Sequence, residues 1–84
     1  MEIKDFIDNW RVDVSTESAI HVSGLRFRHV KNGIDGREKI EISNLPQWVQ
    51  SFMAKGNTIK QCEQMQTQLH KEFVEIYNQV IIKA

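Results

Sequence analysis

NTIKQCEQMQTQLHKEFVEIYNQVII, residues 57–82, is the stretch on which the fold turns. Ile59, Cys62, Leu69, Phe73, Ile76 and Val80 recur in it at alternating steps of three and four, with Gln66 in the slot between Cys62 and Leu69. Apolar residues at that spacing line one face of a helix. At 1.5 Å per residue such a helix spans about 39 Å. A compact domain of this length has a radius of gyration of about 12 Å and so a diameter near 30 Å. The excess apolar length predicts an intermolecular contact on the second half of the helix. Its expected members are Met65, Leu69, Phe73, Ile76, Tyr77 and Val80. The neighbouring faces carry Gln61, Gln64, Thr67, Gln68 and Asn78, polar but sparsely charged.

Working back from Asn57, Gly56 stands where a helix ends and Asn57 where the next is capped. Leu45, Trp48, Val49, Phe52 and Met53 form the apolar face of a shorter helix. Asn44 is its expected cap, Pro46 fits its first turn, and Gln47 completes a capping box. Upstream lies a hairpin signal, Asn32-Gly33-Ile34-Asp35-Gly36. Pairing Phe27 with Ile40 and Leu25 with Ile42 puts four apolar side chains on one face and leaves Gly33-Ile34 as a two-residue loop. Arg26 then stands opposite Glu41 on the other face. Between Ala19 and Lys31 the alternation slips: Ile20 and Val22 are even, Leu25 and Phe27 odd. A bulge at Ser23-Gly24 would restore both pairs to one side, as would a break into two short strands. Trp10 to Val14 reads as a strand, Ser15 to Ser18 as a turn, and Ile3, Phe6, Ile7 and Trp10 as a short amphipathic helix that ends where the strand begins.

The expected architecture is one α+β domain, residues 1–84: a short N-terminal helix, a small antiparallel sheet of three to four strands, a short helix and a long C-terminal helix. Eleven basic residues balance eleven acidic ones, for a formal net charge of zero. A generic polyanion binder usually shows a basic excess, and a neutral chain has little self-repulsion to oppose association. The single cysteine, Cys62, excludes an intrachain disulfide and fits a reducing compartment. Glu2, Asp5 and Asp8 stand where a signal peptide would be basic, and no run approaches eighteen apolar residues. A cytoplasmic protein with no membrane span is expected.

Chemistry-bearing motifs are few. His21, His29 and His70 lie far apart and belong to no metal-ligand pattern, and Cys62 and His70 are more than two helical turns apart. The glycines flank a hairpin rather than a strand-to-helix phosphate loop. No catalytic residue, metal, cofactor or small-molecule substrate is therefore expected, and the chain reads as non-enzymatic. Arg26, Arg28, Lys31, Arg37 and Lys39 do cluster on the hairpin, and guanidinium groups there suit phosphate oxygens. Asp35, Glu38 and Glu41 share the hairpin and could cancel them.

Residues 19–55 resemble, in element order, the small sheet modules of phage integrases and plant AP2 factors: three strands and then a helix. That resemblance implies a sheet face set into a DNA groove. As a compact chain without motifs, the protein also resembles regulatory and inhibitory proteins of phages and mobile elements. Two readings follow. In the first, the long helix docks onto a protein partner or a second copy of the chain. In the alternative, the outer face of the hairpin binds nucleic acid. They part on whether that face is still basic once Glu38 and Glu41 have been placed.

Overall fold

The computed structural model describes residues 2–31 and 38–84. Strands β1 (Trp10–Asp13), β2 (Ser18–His21), β3 (Arg26–Lys31) and β4 (Glu38–Ser43) form one antiparallel sheet in that order. Helices α1 (Leu45–Ala54) and α2 (Ile59–Ile76) cover one side of it, and α2 runs on into a π-helical turn, Tyr77–Ile81. The α+β architecture is the expected one.

The N-terminal helix is instead a pair of 3₁₀ turns, Ile3–Asp5 and Ile7–Asn9. The three-residue step that links Ile3 to Phe6 and Ile7 to Trp10 serves a 3₁₀ turn as well as a helix. Phe6 and Trp10 reach the core either way.

The slipped alternation resolves as a chain reversal. Gly24 donates to the His21 carbonyl at 2.8 Å, and His21 donates to that of Leu25 at 2.9 Å. Gly24, at φ +102°, takes a conformation that L side chains rarely adopt. The resulting register sets Ala19 against Phe27 and Ile20 against Arg26. Ala19, not Ile20, therefore enters the core, and Val22 is left 78% exposed.

β3 and β4 pair with Phe27 opposite Ile42 and His29 opposite Ile40. The expected register is thus wrong by two residues. A shift of two preserves faces, so Phe27 and Ile40 stay on the helix side while the cross-strand partners change: Arg28, not Arg26, faces Glu41, and Ile42, expected inside, is 36% exposed. The Gly33-Ile34 loop lies outside the described residues.

The capping expectations fail at both helices. Asn44 sits at φ 64°, ψ 23° and makes no side-chain cap, because a capping residue needs extended backbone to aim its oxygen at the first N–H groups. Thr58 caps α2 in its place: its hydroxyl accepts from Gln61 N, and the Gln61 side chain accepts from Thr58 N. Asn57 closes the preceding helix, donating its amide to the Phe52 carbonyl at 2.8 Å.

The core lies between the sheet and α2. Phe27 and Phe73 stack at 5.5 Å, and Trp10 packs against both. Leu25, Leu69 and Ile76 are fully buried beside them. α1 closes one end, where Trp48 stacks on Phe52 and donates to Ser23 Oγ at 2.8 Å. The molecule measures 39 × 32 × 19 Å. The 18 residues of α2 span about 27 Å, well within the 39 Å dimension, so the premise of excess apolar length, which assumed a sphere and a longer helix, does not hold.

Candidate functional site

Alternation along each strand divides the sheet into two faces. Trp10, Val12, Ala19, Phe27, His29 and Ile40 point toward the helices and belong to the core or its margin. No helix among the described residues covers the other face. One of its rows runs Arg11, Ile20, Arg26, Ser43 across the four strands, and the next runs Asp13, Ser18, Arg28, Glu41. Val30 and Lys39 form a third, shorter row.

Glu38 is absent from this face. It pairs with Lys31 on the helix side, and its carboxylate lies 3.6 Å from His29 Nε2. Glu17 is drawn the same way, with its carboxylate 3.5 Å from His29 Nδ1. His29 is buried and stacked on Tyr77 with ring centroids 4.2 Å apart, so both carboxylates gather around a fixed ring. The outer face keeps Arg11, Arg26, Arg28 and Lys39 against Asp13 and Glu41. Lys39 and Glu41 approach to 3.9 Å. Asp13 accepts from the Ser15 hydroxyl at 2.6 Å, a hydrogen bond that holds its carboxyl below the usual range. Among the described residues, Arg11, Arg26 and Arg28 have no ion-pair partner. Arg11 and Arg28 are exposed and Arg26 half-buried.

Beside β3 this face dips into an open depression bounded by Arg26, Arg28, Lys31, Ser15, Thr16 and Glu17. Three cations and two hydroxyl-bearing residues meet there, and the one carboxylate leans toward His29. That combination suits an anion with several oxygens. A metal ion finds no comparable place, since no group of three or more His, Cys, Asp or Glu side chains is assembled for one among the described residues.

Of the residues expected to contact nucleic acid, Arg26, Arg28 and Lys39 share the outer face. Lys31 belongs by register to the helix-side row opposite Glu38, yet it lines the same depression. Arg37 lies outside the described residues. Arg11, on β1, joins the set unexpectedly, although its alternation with Trp10 and Val12 was there to be read.

The residues expected to form a protein interface separate differently. Leu69, Phe73 and Ile76 are 1%, 0% and 0% exposed, all within this chain's own core. They cannot meet a partner without unfolding the domain. Met65, Tyr77 and Val80 are half-buried at its margin. Ile82, next along, is 60% exposed.

A second polar cluster is structural. The Trp10 indole donates to Glu72 Oε1 at 2.9 Å and the Gln68 amide to Glu72 Oε2 at 3.1 Å. This buried carboxylate ties β1 to α2. His21 lies edge-on to Trp10, and burial pushes its imidazole below the ordinary value, with Glu72 partly opposing. No helix among the described residues is long and apolar enough to cross a membrane. Comparison with protein-family models, curated proteins and solved structures finds no match to this chain.

Proposed function

We propose that this chain is a small non-enzymatic, cytoplasmic nucleic-acid-binding protein whose uncovered sheet face contacts phosphates. One observation carries the reading: Arg11, Arg26 and Arg28 project from that face without ion-pair partners among the described residues, while Glu17 and Glu38 are turned toward His29. The zero net charge of the whole chain describes its sum and not this surface. Arginine suits the task because its planar fork pairs with two phosphate oxygens at once.

Fluorescence anisotropy with a labelled 20-base-pair duplex tests it. Binding is expected in the non-specific range, about 10⁻⁴ to 10⁻⁶ M at physiological salt, and tighter at low salt. With three or four phosphates neutralised, log K should fall against log salt with a slope of about −3. The double substitution Arg26→Glu, Arg28→Glu should abolish the complex with the fold intact by circular dichroism. Polyglutamate serves as a competitor. If it displaces the duplex at equal charge concentration, the face recognises negative charge in general and an acidic protein becomes the better partner.

A docking role for the C-terminal end keeps one observation in its favour. Ile82 is largely exposed and adjoins half-buried Val80 and Tyr77. Light scattering on wild type and Ile82→Glu across a concentration series separates self-association from its absence.

A further inference from the structure

All seven aromatic side chains of this protein lie away from the basic face. Phe6, Trp10, Phe27, Trp48 and Phe73 are buried in the core, and Phe52 and Tyr77 pack against it from the helices. Ile20 stands between Arg11 and Arg26, and Val30 lies beyond Arg28. Proteins that hold single strands on a sheet stack the exposed bases on aromatic rings. Isoleucine and valine present no such surface. A duplex keeps its bases stacked inside and offers about one phosphate per 1.7 Å of axis, twice the linear charge of a lone strand. A face with charge and no rings gains from that density and loses nothing by the concealment of the bases.

We infer that the ligand of the outer face is a double-stranded nucleic acid, held by its phosphates in a sequence-tolerant way, and not a single strand. This rests on the reading of that face as a nucleic-acid surface and narrows it. Ser43, which shares a row with Arg26, is too short to reach base edges from a sheet lying across the phosphates, and Ser18 is buried with its hydroxyl against that of Thr16. Discrimination among duplex sequences should therefore be weak.

The test compares four labelled probes at one salt concentration and equal phosphate concentration: duplex DNA, duplex RNA, and the single strands of each. The duplexes are expected to bind about tenfold more tightly than the single strands, and two unrelated duplex sequences to agree within about threefold. Ile20→Tyr places a ring between Arg11 and Arg26 on a strand that accepts aromatic residues. It should tighten single-strand binding severalfold more than duplex binding, which narrows the ratio. Preference for one duplex type over the other identifies DNA or RNA as the source of the phosphates and supports the inference equally. Single strands bound as tightly as duplexes, or a ratio indifferent to Ile20→Tyr, would overturn it while leaving the nucleic-acid reading standing. Failure of every probe to bind overturns that reading itself.

Discussion

Glu72 offers the sharpest test of the packing. Glu72 is 8% exposed, and its carboxylate accepts from the Trp10 indole at 2.9 Å and the Gln68 amide at 3.1 Å. Glu72→Ala removes the acceptor and leaves the Trp10 N–H buried, a loss of about 1–3 kcal/mol. The one missing methylene, Cγ, adds about 0.8 kcal/mol where it is covered. The sum is about 2–4 kcal/mol, against a total stability of about 4–13 kcal/mol for a domain of this length. Even 2 kcal/mol corresponds to a fall in melting temperature of about 8–16 °C. Glu72→Gln keeps an oxygen for the indole and should cost about 1 kcal/mol or less. Urea titration followed by circular dichroism measures both variants. Combining Glu72→Ala with Trp10→Phe completes a double-mutant cycle, in which a coupling of about 1 kcal/mol or more is expected for residues in contact. Additivity within about 0.3 kcal/mol, or Glu72→Ala as mild as Glu72→Gln, would refute the account of Glu72 as a tie between β1 and α2.

Phe27→Ala, in the fully buried centre of the sheet, should cost about 3–5 kcal/mol, whereas Arg28→Ala on the outer face should stay within about 0.5 kcal/mol; equal losses in urea titrations of the two would place the strand on the wrong face. His21, held by burial below its ordinary value of 6.5, takes up its proton more readily when unfolded, so its contribution is present above that value and is lost as pH falls through it. Stability curves of wild type and His21→Gln between pH 5 and pH 8 should differ in slope on the acid side, and parallel curves would show that His21 is not the group responsible.

The fold was legible wherever a periodicity was long and had one competitor. The seam through Cys62, Leu69, Phe73 and Ile76 needs no tertiary information, because only a helix brings those steps to one side. Phe27 and Ile40 were placed on the right face although their register was wrong, since a shift of two returns every side chain to its own side. The face of Ile20 depends on where the chain reverses, and Ser23-Gly24 supports a bulge or a reversal with equal ease, so alternation alone does not place it. The cap of α2 was missed by one residue. Asn57 and Thr58 both carry capping oxygens, and what distinguishes them is Gln61, three residues after Thr58, which completes the reciprocal pair.

The candidate site was harder to read, for a reason that lies in arithmetic along the strands. Whether a hairpin rich in both charges presents a basic face depends on the parity of each carboxylate. Glu38 and Glu41 differ by three positions and so fall on opposite sides of β4. The same parity puts Arg26 and Arg28 together and sends Lys31 across to Glu38. A charge count along the chain adds all of these and returns zero. Parity alone would still leave Glu17, which belongs to the β1–β2 turn and to neither face of a strand. Its placement comes from tertiary structure. Tyr77, at the π-helical end of α2, stacks on His29, and the imidazole then stands within 3.6 Å of both Glu17 and Glu38. A helix that the sequence suggests for binding partners thus acts on the opposite face of the sheet, by fixing the ring around which two acidic side chains gather.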